Sequence, residues 1–376
     1  MKRILIIQRT LTHYRKKLFD YIESRGEFFI DVVYIGQEDR VSGRNRTFKG
    51  RKILKYKNYE IKYSKFLIEY IKHNYKFYDF IILEGTTNFV NNIPICSFLM
   101  RRSYPYIIWD AGRRKNAKMT LPRKLIQKSL EFIWNNASAI MAYSTLAKQY
   151  FIKIGIMKER VFICQNTLCV KEFDRQIKEI SENEVIDIRR RFVPEMGKIV
   201  LYVGAIEPRK RIQDLIDAFE IAKNKYKGIC LVIIGGGSQL EQIKKYIKYK
   251  DKIFILGQII DEVILYFLAC DLFVLPSEGG LSLNQAMICR KPVIASSADG
   301  TEADLIIDGK NGFLFHERDI QELANKIVEV LNNEDKCSEM GIYSREIIDS
   351  YANEEKFYDN LKKCLSFVEK RGIDHG

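Results

Sequence analysis

Short apolar runs alternate along the chain with longer stretches in which apolar residues return every three or four positions. In the first half the runs are Ile4–Ile7, Phe28–Ile35, Phe80–Leu83, Tyr106–Trp109, Ala139–Tyr143 and Val161–Cys164. In the second half they are Ile199–Val203, Cys230–Ile234, Ile253–Leu256, Leu272–Leu275 and Pro292–Ala295. The runs are continuous, not alternating, which predicts strands covered on both faces, as in a parallel sheet. The stretches between them predict helices at Tyr14–Ser24 and Leu121–Asn135, then at Ile212–Lys225, Gln239–Lys248, Glu262–Ala269 and Ile320–Asn332. Strand–helix alternation of this kind gives a doubly wound α/β layer, and two successive sets predict two such domains facing each other. The expected division is 1–190, 191–350 and a tail, 351–376. The charged segment around the boundary carries Pro194 and Gly197, with a helix expected over Glu182–Arg191. The tail predicts an amphipathic helix with Phe357, Leu361, Leu365 and Phe367 near one face, which caps its own domain or crosses back to the first.

A length of 376 residues suits two domains. No apolar run reaches the ~18 residues that a spanning helix needs. The opening MKRILIIQRT lacks a small-residue cleavage site and reads as a first strand, not a signal peptide. Eight cysteines are scattered singly, without metal-type pairs, which points to a reduced, cytoplasmic compartment. Charge changes this picture. Residues 1–190 hold 37 Lys and Arg against 19 Asp and Glu, whereas residues 191–376 hold 25 against 29. A first half at +18 suits an anionic membrane face, such as the inner face of the plasma membrane, or a phosphorylated substrate. Nucleic acid is the poorer partner, because no basic helix is interleaved with aromatics and no zinc spacing occurs.

In open parallel sheets ligands bind beyond the carboxyl ends of the strands, so the residues just after each run are the candidates. Residues 276–295, PSEGGLSLNQAMICRKPVIA, take a two-glycine turn into a short helix. Free amides and the helix dipole there point at one spot, which suits a phosphate. Gly279 and Gly280 are expected to allow positive φ and close approach. Ser282 is expected to cap the helix, and Leu281 opens it. Glu278 beside the turn suggests a phosphorylated sugar. Residues 204–211, GAIEPRKR, bring Gly204, Arg209 and Lys210 to a strand end, where the two cations would stabilise charge on a departing diphosphate. Gly235, Gly236 and Gly257 also follow strands, as tight turns or ligand contacts. In the basic half, Thr12 is a candidate N-cap before His13, Tyr14 and Arg15, and Asp110 ends a strand before Gly112, Arg113 and Arg114. Asp110 and His13 would bind sugar hydroxyls or move a proton, or else serve as a cap and a surface histidine. No Asp-x-Asp pair and no histidine pair at ligand spacing occurs, so no metal and no cofactor beyond a substrate nucleotide are expected.

These residues resemble a known family. From Ile199 to about Leu331 the chain looks like the C-terminal domain of the family-4 retaining glycosyltransferases of the GT-B fold. The resemblance runs through YVGAIEPRKR, LVIIGGGSQ, IFILGQI, DLFVLPSEGGLSLNQAM, KPVIASSADGTEADLI and DGKNGFLF, in that order. The first half is similar only in the HYR loop, the WDAG strand end and Gln165–Thr167. The resemblance implies two Rossmann-like domains, the first for the acceptor and the second for a nucleotide-diphosphate sugar, and transfer with retention. It implies that Glu278 contacts the donor sugar, that Gln285 sits where a second glutamate would hold the ribose, that Lys210 meets the diphosphate and that Asp110 lies near the donor sugar. Three departures stand out: Gln285 replaces glutamate, its spacing from Glu278 is one residue short, and Ala205 stands where many members have arginine, with Arg209 as the compensating cation. The expected activity is metal-independent hexosyl transfer to a glycan or lipid-diphosphate acceptor in cell-surface polysaccharide or glycolipid assembly. A nucleotide-sugar epimerase or phosphorylase on the same fold, and a non-catalytic sugar-nucleotide-binding subunit, are the alternatives.

Overall fold

The computed structural model describes residues 1–9, 11–35, 46–48, 51–56, 59–86, 89–112, 121–193, 197–260, 262–277, 279–296 and 300–373. The chain divides into two compact units: Met1–Asn166 with Glu354–Gly376, and Thr167–Asn353.

The described strands of the first unit are β1 (Lys2–Gln8), β2 (Phe28–Ile35), β3 (Arg46–Phe48), β4 (Arg51–Tyr56), β5 (Tyr59–Tyr63), β6 (Phe80–Glu84), β7 (Ile107–Asp110), β8 (Ala139–Ala142) and β9 (Val161–Ile163). Seven form a parallel sheet in the order β3-β2-β1-β6-β7-β8-β9, and β4 pairs antiparallel with β5. The apolar run of β1 is continuous because each face has its own core. Leu5 and Ile7 join Leu67, Ile71 and Ile133 on one side, while Ile4 and Ile6 join Leu18, Ile22, Leu361 and Leu365 on the other. The last two belong to helix Glu354–Ile373, which returns to this unit after the second is complete. Its Phe357 ring lies 5.3 Å from Trp109 and its Tyr358 ring 6.1 Å from Phe28. Each fully buried side chain of this size is worth about 1.5–3 kcal/mol, so the returning helix supplies a substantial part of that core.

The second unit holds β10 (Lys198–Val203), β11 (Ile229–Ile234), β12 (Ile253–Gly257), β13 (Leu272–Leu275), β14 (Val293–Ser296) and β15 (Gly312–Phe315). They form a parallel sheet in the order β12-β11-β10-β13-β14-β15. Helix Ile212–Lys225 buries Ile212, Leu215, Ile216 and Phe219 and packs on helix Ile320–Leu331. Both units are doubly wound α/β layers.

Three features differ from the sequence reading. Residues 167–190 pack within the second unit, not the first. Helix Val170–Glu179 lies on helix Leu281–Ile288, and helix Glu182–Arg190 lies on helix Val263–Ala269. Arg189 fixes the latter by donating to the Ala269 carbonyl at 2.6 Å and to Asp271 at 2.9 Å. The β4–β5 hairpin was hidden because charged residues keep every apolar run in RKILKYKNYEIKY to one or two residues. The strand β15 opens on Gly312, so its apolar run is only Phe313–Phe315, shorter than any run read as a strand.

Candidate functional site

In the second unit the chain lays down β10, β11 and β12 in one direction, then returns and lays down β13, β14 and β15 in the other. The loops that leave β10 and β13 therefore diverge and open a crevice at the carboxyl edge of the sheet. Residues 204–211 follow β10, and residues 276–280 follow β13.

Two hydrogen bonds join these loops. Lys210 Nζ donates to the Gly279 carbonyl at 2.9 Å, and Ser277 Oγ donates to the Arg209 carbonyl at 2.7 Å. Lys210 closes a 3₁₀ turn, Pro208–Lys210, and is only 7% exposed, whereas Arg209 is exposed. Arg211 follows in the left-handed region at φ 53 and starts the helix Ile212–Lys225. Beneath the loop, buried Tyr202 donates its hydroxyl to the Ala205 carbonyl at 2.9 Å, and burial pushes that phenol above its ordinary range. Glu207 accepts from Ser238 Oγ at 2.6 Å and Ser238 N at 2.9 Å. These bonds, with the Arg209 charge, hold its carboxyl below the usual range.

The glycines divide into two kinds. Gly235 (φ 151) and Gly237 (φ 156) lie against the β10 loop so closely that a Cβ would meet the Gly204 carbonyl oxygen at 1.8 Å and the Ile206 carbonyl oxygen at 2.3 Å. They keep the ladder going past the strands. Gly204 N donates to Ile234 O at 2.9 Å, Ile206 N to Gly236 O at 2.8 Å and Gly235 N to Gly257 O at 2.7 Å. Gly280 is different. Its φ of 176 is extended backbone open to any residue, and a Cβ there would meet nothing closer than Ser282 Oγ at 3.9 Å. The expected positive φ at Gly280 is thus not found.

Gly280 is also the N-cap of helix Leu281–Ile288, which has no side-chain cap bond. This corrects the expectation for Ser282: it sits inside the first turn with Leu281 before it, where the Leu283 amide donates to the Gly280 carbonyl at 3.1 Å. Gln285 is half-buried one turn further along, and Asn284 beside it is 1% exposed with no hydrogen-bond partner for its amide among the described residues. Glu278 lies outside the described residues.

His13 and Asp110 are in the first unit. His13 begins helix His13–Ser24, and its side chain lies outside what is described. Thr12 occupies the N-cap position, but its hydroxyl makes no cap bond. Asp110, 7% exposed at the end of β7, accepts from Gly112 N through Oδ1 at 2.6 Å, closing an Asx turn. Its other oxygen lies 2.6 Å from where a Gly85 Cβ would stand. Arg113 and Arg114 are outside the described residues. Around β1 and β6 the structure brings together polar residues that the sequence reading had not connected. The buried Arg15 guanidinium stacks 4.6 Å from the Trp109 ring and donates to the Tyr143 hydroxyl. Burial pushes the Tyr143 phenol up, against the pull of Arg15. Arg9 N donates to Glu84 at 2.8 Å. Gln8 and Gln165 are buried, and neither amide has a partner among the described residues.

Residues 169–347 match the family model described as glycosyl transferases group 1. This region is a group 1 glycosyltransferase domain. An uncharacterised glycosyltransferase of Methanocaldococcus jannaschii is 26% identical over 329 residues, 85% of this chain and 88% of that protein. A poly(ribitol-phosphate) alpha-N-acetylglucosaminyltransferase of Staphylococcus aureus is 33% identical over 163 residues, 42% of this chain and 33% of that protein. Among solved structures, Anabaena HepE in complex with UDP superposes with a TM-score of 0.74 at 18% identity, covering 97% of this chain and 100% of that one. The shared fold is GT-B.

Within the glycosyltransferase domain the structure gathers Gly204, Arg209, Lys210, Gly279, Gly280, Leu281 and Ser282 at the reversal of strand order. Gly235 and Gly236 support it from β11, and Gly257 from β12. Tyr202, Ser277 and the Glu207–Ser238 pair were missed. Their signal was weak, a tyrosine inside an apolar run and a serine in a turn. Among the described residues, no group of three or more His, Cys, Asp or Glu is placed to hold a metal ion.

Proposed function

We propose that this glycosyltransferase moves a sugar from a nucleoside-diphosphate donor to a glycan or lipid-linked acceptor with retention of configuration, in cell-surface polysaccharide or glycolipid assembly. The observation that carries the reading is the bond from Lys210 Nζ to the Gly279 carbonyl. It holds a buried ammonium beside an uncapped helix start, where two sources of positive potential add. As the anomeric bond breaks, its electron pair passes to the diphosphate oxygen. Lys210, Arg209 and the Leu281 and Ser282 amides take up the growing charge, a task assigned here to the chain and not to a divalent ion. Glu278 orients the sugar, Gln285 accepts from the ribose hydroxyls, and Asp110 and His13 serve the acceptor side. Attack comes from the face the diphosphate leaves, and a phosphate oxygen receives the acceptor proton.

Two comparisons support the substrate classes. The HepE crystal structure contains UDP, and the staphylococcal relative is named for N-acetylglucosaminyl transfer to a poly(ribitol phosphate). A thermal-shift panel of UDP- and GDP-sugars tests the donor, since a ligand at 100 times its Kd stabilises by about 2.7 kcal/mol. The donor so found should release its nucleoside diphosphate in the presence of acceptor and give a product of unchanged anomeric configuration by NMR. A panel with no shift, or a donor isomerised without acceptor, overturns the proposal; the second outcome favours an epimerase.

A further inference from the structure

Helices Lys65–Asn74, Asn92–Arg101 and Leu121–Asn136 pack side by side in the first unit. Inward, Leu67, Ile71, Leu99, Leu130 and Ile133 enter the core. Outward, the helices expose Phe66 (54%), Leu125 (61%) and Phe132 (61%), and the 3₁₀ turn Tyr75–Phe77 that continues the first helix exposes Phe77 (62%). Along helix Leu121–Asn136 the exposed Lys124, Leu125, Lys128 and Phe132 recur at helical spacing, so apolar and cationic side chains share one stripe. Lys65, Lys72 and Lys76 accompany Phe66 and Phe77, and Lys65 Nζ stands 5.3 Å from the Phe66 ring centre. Arg101 and Arg102 end the middle helix, also exposed. Two carboxylates of this layer are engaged, Glu69 with Lys72 at 2.8 Å and Glu131 with Gln127 and Tyr150. The unit as a whole holds 37 basic and 18 acidic residues, net +19, against 25 and 30, net −5, in the other.

We propose that this three-helix face docks on an anionic lipid surface, with the four apolar side chains below the headgroups and the lysines and arginines at the phosphates. Solubility alone would not place three phenylalanines and a leucine in water on one layer. A second copy of the same face would meet like charge. Nucleic acid would use the cations but leave the apolar side chains exposed. Among the described residues no helix is long and apolar enough to cross a membrane, and the attachment proposed here lies in the interface plane. The inference stands apart from the sugar-transfer reading, because vesicle binding is measured without turnover.

The test uses the full chain with vesicles of phosphatidylcholine alone or with 30% phosphatidylglycerol. A basic side chain near such a surface changes partitioning about fivefold, so Lys124→Glu with Lys128→Glu should lower binding to anionic vesicles by more than about tenfold. Lys244→Glu with Lys245→Glu, the same charge change in the other unit, should have little effect. Phe132→Trp should show a blue-shifted fluorescence that brominated lipid quenches. Circular dichroism checks that each variant is folded. Equal binding to both vesicle types, an equal loss in the Lys244/Lys245 variant, an unquenched tryptophan, or a dimer in solution that Phe132→Ser abolishes would each overturn the proposal.

Discussion

Lys210 reaches across the crevice of the second unit to the carbonyl of Gly279, at 2.9 Å, while only 7% exposed. A buried ammonium fixed by a neighbouring loop is already oriented before any anion arrives. Such a preorganised group is worth about 3–4 kcal/mol when charge develops beside it, or 10²–10³ in rate. Lys210→Met should therefore lower kcat/KM by that factor, with the far-ultraviolet spectrum unchanged. A loss below tenfold in steady-state kinetics would remove Lys210 from the chemistry.

Gly235 and Gly280 should respond in opposite ways to alanine. At Gly235 the new Cβ collides with the Gly204 carbonyl in a backbone region that alanine avoids, so stability should fall by about 1–3 kcal/mol or more. At Gly280 the backbone is extended and the nearest atom is 3.9 Å away, so stability should change by under about 0.5 kcal/mol. If the space at Gly280 belongs to a bound diphosphate, Gly280→Ala should still raise the donor KM. Chemical denaturation and kinetics on the two variants separate a folding glycine from a binding one.

Arg345 grips Asp174 through both guanidinium nitrogens, at 2.6 and 2.9 Å, tying helix Val170–Glu179 to helix Glu334–Tyr351. The hydrogen bonds from Arg345 hold the Asp174 carboxyl below its ordinary range. A carboxyl with a lowered folded-state pKa stabilises the fold above its unfolded value, near 4, and loses that contribution as pH falls through the folded value. Asp174→Asn should thus cost about 1 kcal/mol at pH 7, a figure discounted for partial exposure, and less at pH 3. Urea melts at the two values check this, and a gap independent of pH would refute it.

Cys96, Cys164, Cys230, Cys270, Cys289 and Cys364 are buried, and Cys169 and Cys337 are half-buried. Burial pushes the Cys230, Cys270 and Cys289 thiols up to about 12. Burial raises the Cys337 thiol as well, so with thiolate the reactive form only Cys169 should react quickly with a disulfide reagent at pH 8 in the native protein, and all eight after denaturation.

The strands were legible because parallel strands are covered twice: the run Ile199–Val203 became β10 with one residue added at its start. The hairpin β4–β5 was not, since a two-stranded ribbon needs no continuous apolar run. In the candidate site, the loops of Lys210 and Gly279 were legible from glycine and charge at strand ends. What each glycine does was not. Gly235 answers to a carbonyl 31 positions back in the chain, at Gly204, a distance that only the folded sheet closes. The pairing of Arg15 with Tyr143 was not legible for the same reason: they meet across 128 positions.

Helix Glu354–Ile373 gives the first unit Phe357, Leu361 and Leu365 only after the whole second unit has been made. Birth order and maturation order are therefore reversed on the ribosome. The amino-terminal half must wait, with one flank of its sheet uncovered, while the later half emerges and closes, and a stop codon anywhere before residue 357 would strand it there.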